Sequence, residues 1–143
     1  MTDKVHNFLM RPRRIRAQIR QTESQIEGLR LSMLPGAIRY DKDKVQSSVG
    51  ISDQLAEYAG RLTDLEKRRE ELREEYLTAQ DDIVEAAGHL VEDDYGATII
   101  MMRYLSNADF PDIAEEIGMT ERNMFRYYKT AVEALDEIVS ECQ

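Results

Sequence analysis

The sequence predicts an all-α fold in which a long antiparallel coiled-coil hairpin precedes a small three-helix domain. The 143 residues include no Trp, three Pro and seven Gly, a composition that favours helices over β-sandwiches or barrels. Apolar residues recur at intervals of three and four along two long segments, and the C-terminal third carries several helix-capping residues. We expect a helical coiled-coil region over residues 1–91, with a connector at about 34–52, and a second domain over residues 92–143.

The first long helix is predicted from about Arg13 to Leu31. Its apolar stripe consists of Ile15, Ile19, Thr22, Ile26, Leu29 and Met33. Pro35 and Gly36 interrupt the pattern, and no periodicity follows until after Gly50. We expect an exposed connector in this stretch.

The second long helix is predicted from Asp53 to Val91, with an unbroken heptad stripe typical of a coiled coil. The stripe consists of Leu55, Tyr58, Leu62, Leu65, Arg69, Leu72, Tyr76, Ala79, Ile83, Ala86 and Leu90. Gly60 and Gly88 fall opposite it. Arg69 is the only charged residue on the stripe, a position where polar residues fix the register or the number of partners.

Charge is distributed unevenly along the chain. Seven basic and three acidic residues lie in 1–30, whereas five basic and twelve acidic residues lie in 61–95. A hairpin with Met33 near Leu55 brings Ile15 near Arg73. It then opposes Arg11, Arg13, Arg14, Arg16 and Arg20 to Glu66, Glu70, Glu71, Glu74 and Glu75. We therefore favour charge pairing within the coil over phosphate binding as the role of these arginines.

Three shorter helices are predicted after Val91. Asp93 or Asp94 caps the first, Asp109 caps the second with Pro111 in its first turn, and Thr120 caps the third. The first includes Ile99, Ile100, Met102 and Leu105, and the turn after it covers residues 106–109. The predicted inner face of the last consists of Met124, Tyr127, Tyr128, Ala131, Leu135, Ile138 and Val139.

The second and third of these helices have the spacing of a helix-turn-helix. Ala114 is the small residue where the helices cross, Gly118 tolerates positive φ in the turn, and Met124 anchors the following helix. The predicted core of the motif is Ile113, Ala114, Ile117, Gly118, Met119 and Met124. An ordinary three-helix domain is the alternative.

Four stretches carry a resemblance to the DNA-binding fourth region of sigma-70 family factors: Met102–Leu105, Asp112–Gly118, Met119–Met124 and Ala131–Leu135. The whole chain is similar to a family of small phage and prophage proteins of unassigned function that join a heptad-rich helical half to such an ending. The resemblance implies a phage transcription regulator that binds double-stranded DNA in the bacterial host cytoplasm, with RNA polymerase as a candidate partner. The sigma regions that bind the polymerase core and melt the promoter are missing.

The resemblance and helix geometry together give candidate DNA-binding residues at the start of the final helix. They are Thr120, Glu121, Arg122, Asn123, Phe125, Arg126 and Lys129. Arg122 and Arg126 suit guanine or phosphate, Lys129 suits phosphate, Glu121 suits cytosine, and Asn123 suits adenine or phosphate. For each, the alternative is a solvated surface residue, and for Phe125 it is a protein contact.

Other classes of function are disfavoured. His6 and His89 are isolated, Cys142 is the only cysteine, and there is no glycine-rich phosphate loop, membrane-spanning run or signal-peptide stretch. We expect a cytoplasmic protein that is not an enzyme, with no metal, cofactor, membrane or small-molecule substrate. Because the net charge of −9 opposes polyanions, DNA binding must depend on local charge and on either dimerisation through the coil or help from polymerase.

The alternative function is that of an acidic coiled-coil interaction protein. Its partner would be a basic host protein such as an RNA polymerase subunit or a nuclease, and its role that of an inhibitor or adaptor. The net charge of −7 over residues 61–95 favours it.

Overall fold

The computed structural model describes residues 1–34, 48–90 and 94–141. This part of the chain holds five helices and no strand, so the prediction of an all-α fold is confirmed. The helices are α1 (Asp3–Ser32), α2 (Ser48–Gly88), α3 (Asp94–Tyr104), α4 (Phe110–Ile117) and α5 (Glu121–Glu141). None of them is both long and apolar enough to cross a membrane.

Several sequence predictions fall on residues outside the described part: most of the connector, the Asp93 cap, the end of the second helix at Val91, and Cys142. The last residues of the predicted connector are helical, because α2 already begins at Ser48. At the other end α2 stops at Gly88.

The described chain forms two compact units. The coil unit is Ile15–Glu74, and the C-terminal unit combines Met1–Arg14 with Glu75–Gln143. The boundaries of these compact units differ from those of the predicted regions 1–91 and 92–143. The predicted regions concern segments that fold independently, and they stay a prediction.

The first helix begins ten residues earlier than predicted, at Asp3 instead of Arg13. Pro12 lies inside it, although a proline within a helix removes one hydrogen bond and costs about 3 kcal/mol. Val5, Leu9 and Pro12 are fully buried and continue the apolar stripe at intervals of four and three. Their burial stabilises the helix through Pro12, a residue at which the sequence alone predicts that a helix begins or ends.

In the coil unit, α1 and α2 run antiparallel, because two ion pairs join later residues of α1 to earlier residues of α2. Arg73 contacts Glu23 at 3.3 Å, and Arg30 contacts Glu66 at 3.1 Å. The predicted stripes face inward: Ile15, Thr22, Ile26 and Leu72 are buried, and the other stripe residues of the unit with described side chains are half-buried. Gly60 is exposed opposite the stripe, as predicted.

The predicted register of this pairing is wrong, because Glu23, not Ile15, lies beside Arg73. The pairing of the arginine run with the glutamates of α2 is therefore also wrong. Within the described residues, Arg16 and Arg20 make no ion pair, and the glutamate cluster is contacted from Arg30, Arg68 and Arg73. Surface ion pairs contribute at most about 1 kcal/mol each, so apolar packing sets the register instead. Arg69 keeps its place on the stripe, and its Nε is buried without a hydrogen-bond partner in the described chain.

The C-terminal unit has two adjoining apolar clusters. The first joins α1, α2, α3 and α5 through Val5, Leu9, Ile83, Ala86, Ile100, Tyr104, Ala131, Val132 and Leu135. The second joins α3, α4 and α5 through Ile99, Ile113, Ala114 and Met124. The predicted inner face of α5 is buried or half-buried, as expected. Val132 is an additional buried residue that the sequence did not predict, and it lies in the cluster that includes the start of α1.

Helices α3 and α5 approach each other closely at Gly96. A methyl group on Gly96 would lie 3.0 Å from the Cβ atom of Ala131, closer than carbon atoms normally approach. The pair of small residues therefore permits the two helices to pack, and sequence reasoning did not identify it.

Candidate nucleic-acid interface

The corner between α4 and α5 depends on Gly118, which has φ 72° and ψ 36°. The Met119 N–H donates to the Ala114 carbonyl at 3.0 Å, and the Gly118 N–H donates to the Glu115 carbonyl at 3.1 Å. These two hydrogen bonds form a Schellman motif, which ends α4. Gly118 is exposed, and a methyl group there would meet no atom within 4 Å. Its backbone conformation, not packing space, is therefore what requires glycine.

The caps of both helices were predicted correctly in position. The Asn123 N–H donates to Thr120 Oγ1 at 3.2 Å, so the Thr120 side chain caps α5. Asp109 is the N-cap residue of α4, but its side chain makes no capping hydrogen bond. Its carboxylate instead lies 3.6 Å from Arg103 Nη1.

The side of α5 that faces the protein is held by buried apolar residues. Met124 is 0% exposed and packs in one cluster with Ile113, Ala114 and Ile99. Ile117 and Met119 pack against the same cluster while half-buried. Of the six predicted core residues, only Gly118 is exposed, because it forms the corner and not the core.

The seven predicted DNA-binding residues, at Thr120 and along the first half of α5, are all exposed. Within the described chain, the side chains of Arg122, Arg126 and Lys129 make no ion pair. Acidic residues lie toward the other end of α5, where Glu133 and Glu137 are exposed. The first half of α5 therefore presents a net positive charge to solvent, with three basic residues against Glu121, and the second half presents negative charge.

Two of the seven residues are also engaged within the protein. Thr120 caps the helix, and Phe125, 42% exposed, lies with its ring centroid 4.9 Å from that of Phe110. Phe110 also contacts Tyr128 edge to face at 5.2 Å. This aromatic cluster of Phe110, Phe125 and Tyr128 joins the start of α4 to the first half of α5.

Arg103 holds the turn that leads into α4, and sequence reasoning missed it. Its Nη1 atom donates to the Ala108 carbonyl at 3.1 Å, and its guanidinium carbon lies 4.4 Å from the centre of the Phe110 ring. A single arginine seven residues before a phenylalanine has no recognisable spacing, so no sequence pattern pointed to this contact.

Arg13 of α1 contacts the same turn. Its Nη2 atom donates to Asn107 Oδ1 at 3.3 Å, and Asn107 has φ 57°, a left-handed conformation that asparagine tolerates. The predicted partners of Arg13 were carboxylates of α2, so this contact corrects that expectation.

Tyr104 and Tyr128 form a hydrogen bond between α3 and α5, with 2.6 Å between their hydroxyl oxygens. Burial, reinforced by this hydrogen bond, raises the pKa of Tyr128 well above its ordinary value. Among the described residues, no three His, Cys, Asp or Glu side chains come together in an arrangement suited to a metal ion.

The arrangement is that of a surface helix with one anchored apolar side and one exposed basic end. Comparison with protein-family models, with curated proteins and with solved structures finds no match to this chain.

Proposed function

We propose that the protein is a DNA-binding transcription regulator of helix-turn-helix type, with α5 as the recognition helix in the major groove of a promoter or operator. The observation that carries this proposal is the first half of α5. There Arg122, Arg126 and Lys129 are exposed and unpaired among the described residues, while Met124 on the other side is fully buried. A recognition helix needs both a buried side that fixes its position and basic side chains that are not paired within the protein.

The corner at Gly118 supports the same proposal. In a helix-turn-helix a short turn aims the second helix away from the first, and the residue that allows this turn tolerates positive φ. Gly118 adopts that conformation, and Thr120 starts α5 two residues later. The side chains at the start of α5 are then directed outward, where bases and phosphates are accessible.

The charged residues of α5 suit distinct roles on a duplex. Arg122 and Arg126, one helical turn apart, suit bidentate contacts to guanine or to phosphates, and Lys129 suits a phosphate. Glu121 suits the amino group of cytosine, and Asn123 suits adenine. Because Phe125 packs on Phe110, its contribution to DNA contact is restricted to the part of its side chain that remains exposed.

The resemblance of about residues 93–139 to the fourth region of sigma factors supports a promoter-directed regulator of phage type. In this proposal the antiparallel helices of the coil unit form a coiled-coil hairpin. The acidic balance of the chain makes a lone copy a weak binder, so RNA polymerase and a second copy bound through the coil are the partners to test.

DNA selection followed by binding measurements tests the proposal. Duplexes enriched from a random pool by the wild-type protein are measured by fluorescence anisotropy at low salt. We expect the double variant Arg122→Ala and Arg126→Ala to lose at least tenfold in affinity, because each bidentate contact of an arginine with guanine is worth roughly 1–3 kcal/mol.

A matched control removes the same charge elsewhere. Arg61→Ala with Arg68→Ala also removes two arginines, but these pair with Glu57 and Glu71 in the coil unit. This variant should bind as tightly as wild type. Unchanged affinity after removal of Arg122 and Arg126 would exclude α5 as the recognition helix.

A second candidate function, an acidic coil that binds a basic host protein, is favoured by one observation on α2. Leu77 and Val84 are 59% and 48% exposed, lie one heptad apart, and are accompanied by exposed Asp81 and Glu85. Capture of a stoichiometric partner from nuclease-treated bacterial lysate distinguishes the two functions. A partner that is retained by the Arg122 and Arg126 variant but lost after Leu77→Ser with Val84→Ser supports this second function.

A further inference from the structure

We propose that the DNA-contacting surface extends from α5 onto α1, where Arg13 binds a backbone phosphate beside the recognition helix. This inference rests on the proposed function, because it adds a residue to the same partner. The inference is drawn from the position of Arg13, which contacts Asn107 in the turn that precedes α4.

The first fourteen residues belong to the C-terminal unit, and their contacts define the path of α1 along it. Thr2 Oγ1 donates to Asp136 Oδ1 at 2.6 Å, which places the start of α1 at the second half of α5. Val5 and Leu9 lie in the apolar cluster with Val132. Arg13 then reaches Asn107. Helix α1 thus leads from the acidic half of α5 to the turn between α3 and α4.

That turn is linked by direct contacts to the basic end of α5. Arg103 binds the Ala108 carbonyl and covers the Phe110 ring, and Phe110 packs on Phe125. When a recognition helix enters the major groove, the helix before it crosses the sugar-phosphate backbone. The start of α4, and with it Arg13, therefore lies on the side where a phosphate strand passes.

The charge of Arg13 is available to a phosphate, because its partner is neutral. The Asn107 amide oxygen orients the guanidinium without cancelling its charge, and a guanidinium has four further N–H donors beyond the one used. Arg11 differs, since it is 3.5 Å from the carboxylate of Asp82. Two residues apart on a helix, the two side chains are separated by about 200° around the axis and thus lie on opposite sides of it.

Arg11 and Arg13 consequently form a matched pair for a salt-dependence experiment. Binding of wild type, Arg13→Ala and Arg11→Ala to a fluorescein-labelled duplex of mixed sequence is measured between roughly 50 and 200 mM salt. Each phosphate contact contributes about 0.9 to the slope of log affinity against log salt concentration. We expect Arg13→Ala to lose about that amount of slope and several-fold in affinity on every duplex, while Arg11→Ala retains the wild-type slope.

A second variant tests the charge without removing the arginine. Asn107→Asp keeps a residue that tolerates the left-handed conformation but places a carboxylate against Arg13, so it should weaken binding at least as much as Arg13→Ala. Far-ultraviolet circular dichroism and thermal unfolding verify that each variant is folded.

The outcomes separate this inference from the proposed function. A wild-type slope in Arg13→Ala, or equal losses in Arg11→Ala and Arg13→Ala, would overturn the role of Arg13 and leave α5 as the DNA-binding element. Failure of the wild-type protein to bind any duplex would instead overturn the proposed function, and this inference with it.

Discussion

The hydroxyl groups of Tyr104 and Tyr128 meet at 2.6 Å and join α3 to α5 by a hydrogen bond. Tyr104 is buried in the cluster that includes Leu9 and Leu135. Tyr128 packs against that cluster and also against the cluster around Met124. The tyrosine pair therefore links the core made with α1 to the core beneath the corner of α4 and α5.

The first prediction concerns the stability of this pair at high pH. The pKa of Tyr128 is raised in the folded protein, so deprotonation favours the unfolded state, in which tyrosine titrates near pH 10. The stability that Tyr128 contributes is thus fully present below about pH 10 and is lost as the pH rises above it. Urea unfolding between roughly pH 8 and pH 11 should show this loss in wild type.

The variant Tyr128→Phe should be about 1 kcal/mol less stable than wild type near neutral pH, since it leaves the buried Tyr104 hydroxyl without its partner. Its stability should also fall less steeply above pH 10. Tyr127→Phe is the control, because the Tyr127 ring contacts that of Tyr95 at a tilted angle but its hydroxyl makes no hydrogen bond among the described residues. Equal pH dependence in wild type and Tyr128→Phe would contradict the prediction.

The second prediction concerns Gly118. Its φ of 72° is costly for any residue with a Cβ atom, so Gly118→Ala should lower the free energy of unfolding by roughly 1 kcal/mol despite the open space around it. Gly118→Asn should cost less, because asparagine tolerates this conformation. The urea midpoint of each variant provides the measurement.

Gly60→Ala is the control for this effect. Gly60 lies within α2, exposed and with no atom within 4 Å of a methyl group, so alanine should stabilise the helix there by up to about 1 kcal/mol. Effects of the same sign at both glycines would exclude the left-handed corner.

The third prediction concerns the close approach of α3 and α5. Gly96→Val should destabilise the protein by roughly 1–3 kcal/mol, because its side chain must displace Ala131. In a double-mutant cycle, Gly96→Ala and Ala131→Gly should be coupled favourably, since the second change restores the space that the first fills. Additive effects of the two substitutions on the free energy of unfolding would show that these residues do not meet.

The fourth prediction concerns the start of α1. Leu9→Ala should cost roughly 2–5 kcal/mol, as for other buried leucines, because Leu9 is 1% exposed in the core of the C-terminal unit. Leu31→Ala, on the same helix but 53% exposed, should be close to neutral. Similar costs for both would place Leu9 outside the core.

A fragment of residues 92–143 provides a further measurement of the same packing. Without Val5 and Leu9, the apolar surface of Val132 and Leu135 becomes exposed. The fragment should therefore show little cooperative thermal unfolding, whereas the full chain, which contains Val5 and Leu9, should unfold cooperatively. Cooperative unfolding of the fragment alone would support an independent domain over 92–143.

Much of the local structure was predictable because it depends on neighbours in sequence. Spacings of three and four residues predicted the inward sides of α1, α2 and α5, and Ile26, Leu72 and Leu135 are buried accordingly. The Thr120 cap and the positive φ of Gly118 follow from the chemistry of hydroxyl and glycine residues at helix ends. The exposure of Arg122 and Arg126 follows from the burial of Met124 on the same helix.

The contacts between helices were not predictable in the same way. Helix α1 begins at Asp3 because Val5 and Leu9 find a core built from residues more than seventy positions away. The same holds for Arg13 beside Asn107 and for Gly96 beside Ala131. No interval along the chain marks either contact, since each joins two segments that are far apart in sequence.

Periodicity and end chemistry thus specify which residues are helical, which side of each helix is apolar and where the corner falls, because these properties depend on a few neighbouring residues. The register of α1 against α2, and the side chains that contact one another between helices, were decided only by the tertiary structure. Surface ion pairs contribute too little energy to select one register, so no charge pattern in the sequence could show that Glu23 and not Ile15 lies beside Arg73.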